Sequence, residues 1–147
     1  MTDQQDLQRQ IRLLERARKI TLARDSLIDF SEFIMPDPED PEDATRSLYK
    51  AKPHHRLLAA ALERVARAEC LRLAISMPPQ HGKTQLASKN FAAWLTGKFP
   101  RRNVIFATYN ETYARKNGSA VRNIMRSPAF AAVFPGVALS KSTAAKD

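Results

Sequence analysis

The chain has 147 residues, room for one domain and little more, and 44% of them are hydrophobic, which is enough for a packed core and excludes global disorder. Its net charge is +9, and five of its 15 acids (Asp37, Glu39, Asp40, Glu42, Asp43) crowd into 37–43, leaving 10 acids against all 24 bases elsewhere; that surface suits a polyanion such as DNA. No apolar run approaches the roughly 20 residues that span a bilayer, the polar N-terminus has no apolar signal core behind it, and the single Cys70 forms no internal disulfide. These features read as a protein of the cytosol with no membrane partner.

Residues 3–34 read as helix. Ile20, Ala23, Leu27, Phe30 and Ile34 recur at spacings of 3 and 4 and form one stripe, with Asp25-Ser26 as a point of interruption and restart. Pro36 ends the pattern. Pro36, Pro38 and Pro41 alternate with acids, so 36–53 reads as an acidic, proline-rich linker between an N-terminal helical arm (1–35) and the segment 54–147. Helix resumes near His54, with Leu58, Ala61, Leu62, Val65 and Ala66 on one face. Residues 71–77 (LRLAISM) then read as a buried strand. A helix is expected from about Lys83 to Thr96, burying Ala87, Phe91, Trp94 and Leu95, with Gly97 at the C-terminal cap. Residues 103–109 (NVIFATY) read as a second strand. Asn110 caps a helix over about 111–126, which Ser127-Pro128 closes before a short helical turn at 129–133. Strands alternating with helices predict an α/β fold with a parallel sheet.

The informative stretch is Met77-Pro78-Pro79-Gln80-His81-Gly82-Lys83-Thr84. A phosphate-binding loop reads G-x-x-x-x-G-K-[ST] between a strand and a helix. Gly82, Lys83 and Thr84 match, and Met77 replaces the first glycine. Such a loop wraps backbone N–H groups around phosphate oxygens, and glycine lets the backbone approach closely. The following helix adds free N–H groups and a positive dipole end. Lys83 would reach the β- and γ-phosphates, and the Thr84 hydroxyl would ligate Mg²⁺.

This phrase resembles the variant phosphate-binding loop of the large terminase subunits of tailed bacteriophages and prophages, in which a Pro-Pro-[Arg]-His-Gly-Lys-[Ser/Thr] form is common and the first glycine is often absent. His54-His55-Arg56, Ala107-Thr108-Tyr109-Asn110, Val121-Arg122-Asn123-Ile124, Ser127-Pro128-Ala129-Phe130 and Phe134-Pro135-Gly136 accompany it, so the similarity covers about residues 26–136. The resemblance implies an incomplete P-loop NTPase sheet of the ASCE type with an N-terminal helical arm. It implies ATP and Mg²⁺ as cofactors, held by Pro79, Gln80, His81, Gly82, Lys83 and Thr84, with Lys83 and Thr84 in the catalytic roles and Thr84 on the metal through the nucleotide. It also implies packaging of viral DNA into procapsids, double-stranded DNA, portal protein and small terminase subunit as partners, a homo-oligomeric ring, and the cytoplasm of a bacterial host. It places His54 and His55 near the adenine.

Two departures stand out. Gln80 occupies a position where many relatives carry arginine, so it brings no charge to the γ-phosphate. No apolar strand ends in paired acids, and Asp147 follows none, so the chain reads as truncated before its metal-binding acids and without the nuclease domain. In this class of sheet the loop strand and the next strand are not neighbours, which leaves unpaired edges on 71–77 and 103–109.

Arg115, Ser119, Arg122 and Arg126 share one face of the 111–126 helix, and with Lys116 they form a basic stripe that suits DNA phosphates as well as it suits water. Ala114, Asn117, Gly118, Val121 and Met125 form the opposite, packing stripe. His54, His55, Cys70 and His81 match no common zinc spacing. Two rival readings remain: an inactive truncated prophage remnant, and a small basic DNA-binding protein that uses the 111–126 helix and binds no nucleotide.

Overall fold

The computed structural model describes residues 2–139. Residues 140–147, which close the segment 54–147 and include Asp147, lie outside the described residues. Contacts divide the chain into two compact units, Met1–Ile75 and Ser76–Asp147.

The first unit contains α1 (Thr2–Asp25), α2 (Leu27–Phe33) and α3 (Pro53–Ala66). The break between α1 and α2 falls at Ser26, whose extended backbone (φ −115, ψ 125) leaves the helix while its side chain accepts from the Asp29 amide. A second orphan donor at that end, the Leu27 amide, is satisfied by Glu63 Oε1 at 2.8 Å, reaching over from α3. Ala23, Leu27 and Phe30 of the expected stripe are fully buried, and Ile20 and Ile34 are half-buried. Burial of Leu27 and Phe30 contributes about 1.5–3 kcal/mol each. Leu58, Ala59, Leu62 and Ala66 form the buried face of α3.

The acidic stretch after α2 folds back on itself. Pro36 and Ser47 form an antiparallel bridge, and Ser47 Oγ donates to the carbonyl oxygens of Glu32 and Met35. Arg46 pairs with Asp37 at 2.7 Å and Glu39 at 3.4 Å. Asp43 accepts from the hydroxyl and the amide of Thr45, which hold its carboxyl below the usual range. The prolines and acids that disfavour helix and strand thus supply turns with local hydrogen bonds of their own.

The second unit opens with the loop 77–83 and a helix wound in two ways. Thr84–Asn90 is π-helical and runs directly into α4 (Phe91–Lys98). α5 (Glu111–Arg126) and α6 (Pro128–Val133) follow. Asn110 caps α5 by accepting from the Tyr113 amide, and Ser127 caps α6 by accepting from the Phe130 amide. Trp94, Leu86, Phe130 and Val133 are the largest apolar side chains fully buried here.

The α/β expectation is overturned. The described residues are helical with no strand and no sheet, so the ASCE-type parallel sheet is absent from them. Residues 72–78 and 102–108 do run without turn or bend, but neither forms a strand ladder with another segment among the described residues. Apolar composition gives a segment strand character, yet a strand exists only when a second edge satisfies its backbone, and that is not a local property. Leu71 is 84% exposed and Ile105 is 90% exposed, the reverse of the expected burial.

The stripe of the loop helix is also shifted by one residue. Leu86, Asn90, Ala93, Trp94 and Gly97 face inward, while Ala87, Phe91 and Leu95 are half-buried. Trp94 is buried as expected, but two inward positions, Asn90 and Gly97, are not apolar and interrupt the hydrophobic signature of the true face. Gly97 lies inside α4, whose last residue is Lys98 and whose C-terminal cap is Phe99, and is not its cap.

Candidate phosphate-binding loop

Pro78 and Pro79 restrict the backbone ahead of the loop. Gln80 and Gly82 both adopt left-handed conformations, with φ of 63 and 78. For Gly82 this is free of steric cost, whereas for Gln80 it costs about 1–2 kcal/mol. His81 lies between them with Nδ1 2.8 Å from the Pro79 carbonyl oxygen, a contact that requires the Nδ1-protonated tautomer.

Lys83 returns to the right-handed region (φ −50, ψ −54) and starts the helix. A left-handed residue followed by a right-handed one turns successive N–H groups to the same side, the geometry of an anion-binding nest. Here those are the amides of Gly82, Lys83 and Thr84. The first helical bond in the turn runs from the Leu86 amide to the Gly82 carbonyl at 3.0 Å, so the amides of Lys83, Thr84 and Gln85 precede the intrahelical ladder. Lys83 forms no ion pair among the described residues. Pro79, Gln80 and His81 are exposed, and Gly82, Lys83 and Thr84 are half-buried.

The structure therefore brings Gly82, Lys83 and Thr84 together at one helix start, with Pro79, Gln80 and His81 forming the approach. These residues fit a phosphate group: backbone donors, one uncommitted ammonium and one hydroxyl. No group of three or more His, Cys, Asp or Glu among the described residues could hold a metal ion, so a divalent cation would rely on nucleotide oxygens and Thr84 Oγ1. His54 and His55 open α3, with ring centroids 4.1 Å apart, and Tyr49 lies 5.5 Å from His55.

Sequence reasoning missed three features of this unit. The π-helical winding begins directly behind the lysine, and Gln85 Nε2 donates to Asn90 Oδ1 at 2.8 Å across its five-residue spacing. Such winding is rare and is enriched at functional sites. Asn90 and Asn117 are buried carboxamides, with Asn90 Nδ2 and Asn117 Oδ1 lacking partners. A cavity of about 550 Å³ is lined by Asn117 together with Phe91, Ala92, Val104, Phe106 and Val121 among others. Asn117 stands on the packing stripe expected from the sequence, whereas Asn90 gives only its polar letter, which reads as surface.

On α5, the expected packing stripe faces the protein at Asn117, Gly118 and Val121. The basic stripe is not uniform. Arg115 is held by Glu111 at 2.8 Å, whereas Lys116, Arg122 and Arg126 form no ion pair among the described residues. None of the described helices is long and apolar enough to cross a membrane. Comparison with protein-family models, curated proteins and solved structures finds no match.

Proposed function

We propose that this chain is the ATP-binding part of a phage or prophage DNA-packaging motor, a terminase large subunit, with the loop 79–84 as its nucleotide site. The observation that carries the reading is the Pro-Pro-Gln-His-Gly-Lys-Thr phrase placed at a helix start, with Gly82 left-handed and Lys83 uncommitted. The amides of Gly82, Lys83 and Thr84 hold the phosphates, the Lys83 ammonium neutralises the β- and γ-oxygens, and Thr84 Oγ1 ligates the Mg²⁺ that the nucleotide carries. That cation would spread the charge of the phosphoryl group during transfer. Lys116, Arg122 and Arg126 supply cations for the phosphates of double-stranded DNA. Portal protein, a small terminase subunit, a ring of copies and the host cytoplasm belong to the same proposal.

Calorimetric titration with MgATP tests it, run on the chain and on Lys83→Ala. Saturable binding that the substitution abolishes is the expected result, and equal affinity in the two proteins refutes the assignment.

A further inference from the structure

Residues 103–109 lie outside any sheet and leave their backbone unpaired among the described residues. No backbone N–H or C=O of this segment is hydrogen-bonded among the described residues, although its neighbours on both sides are: the Arg102 amide donates to the Phe99 carbonyl, and the Asn110 carbonyl accepts from Ala114. The segment runs without turn or bend as far as Thr108. Its apolar side chains are exposed, with Val104 at 46%, Ile105 at 90% and Phe106 at 39%. It contains no charge, no proline and no glycine, and it is rich in β-branched and aromatic residues. Proteins blunt such edges with lysines, prolines or bulges, and this one carries none of them.

We propose that 103–109 is a strand-addition edge whose occupant is the same segment of a second copy of this chain, paired antiparallel about a two-fold axis near Ile105. A polypeptide strand is the ligand that satisfies a row of unpaired donors and acceptors while covering alternate apolar side chains. The same uncharged segment on another copy offers both, and a two-fold axis makes one patch its own complement. Charge selects the direction. Arg101 and Arg102 precede the segment, so parallel in-register pairing would set each against its like, whereas antiparallel pairing sends the two pairs to opposite ends. The pairing concerns backbone edges between copies, and it is independent of the nucleotide reading.

Light scattering across a concentration series, combined with amide hydrogen exchange, tests this on the whole chain. The weight-average mass should climb from 16.6 kDa toward its double, with the amides of 103–109 gaining protection as it climbs. Ile105→Lys places like charges opposite each other at the axis and should weaken association by roughly tenfold or more. Because Ile105 is almost wholly exposed, that change leaves the core intact, which unchanged helical circular dichroism verifies. A mass of 16.6 kDa throughout overturns the proposal. So does association that Ile105→Lys leaves unchanged, or association that protects other segments and not 103–109.

Discussion

The ring of Phe134 lies directly against the α-carbon of Gly97, so a β-carbon added there would overlap ring atoms. This contact joins α4 to the chain that follows α6, and it explains a glycine inside a helix. Glycine in a helix interior costs about 1 kcal/mol relative to alanine. The overlap is worth more, since overpacking costs about 1–3 kcal/mol. Gly97→Ala should therefore lower thermal stability despite its better helix propensity. The loss should shrink in a Phe134→Leu background, a coupling that a double-mutant cycle measures.

α3 ends with Ala68 left-handed at φ 60, the Glu69 amide bonded to the Arg64 carbonyl and the Ala68 amide to the Val65 carbonyl. This is the Schellman arrangement, in which glycine usually holds the left-handed position. Alanine is strained there by about 1 kcal/mol. Ala68→Gly should raise stability by up to that amount, read as an upward shift in the denaturation midpoint. An unchanged or lower midpoint contradicts the strain.

Helices were largely legible in the sequence because their signals are local. Ser26, Asn110 and Ser127 cap where short polar side chains precede helical periodicity, and Ala23, Leu27 and Phe30 bury where the 3.6-residue repeat puts them. What failed is non-local. The apolar runs 71–77 and 103–109 have strand composition without a partner edge, and the inward face of the helix over 84–98 includes Asn90 and Gly97, whose roles depend on Gln85 and Phe134. The loop was legible as a motif at Gly82, Lys83 and Thr84. The left-handed Gln80 and the π-helical turn behind Lys83 were not, since neither follows from residue type.

Tyr49 is buried with its hydroxyl unpartnered, and burial, with the charge of Glu32 adding to it, pushes its pKa up to about 12. The folded value lies above the ordinary one of 10, so the stability conferred by the neutral phenol is complete below pH of about 10 and is lost as pH rises through 12. Tyr49→Phe should remove the component of the ultraviolet tyrosine titration near 12. It should also raise stability at neutral pH by up to about 1 kcal/mol, because an unsatisfied buried hydroxyl is deleted. A titration unaltered by the substitution contradicts the assignment.

If α5 meets DNA as proposed, the salt dependence of binding separates its bases. Each phosphate contact steepens the slope of log affinity against log salt by about 1. Arg122→Glu should flatten that slope, whereas Arg115→Ala should change it less, because Arg115 is already paired with Glu111. Equal effects from the two variants would place DNA elsewhere on the surface.

If the loop 79–84 holds nucleotide phosphates, MgATP titration of the chain beside Lys83→Ala reveals it. Saturable heat is expected from the parent chain and none from the variant, with the same helical circular dichroism in both. Equal binding by the two proteins, or no heat from a parent chain whose helices are intact, would contradict it.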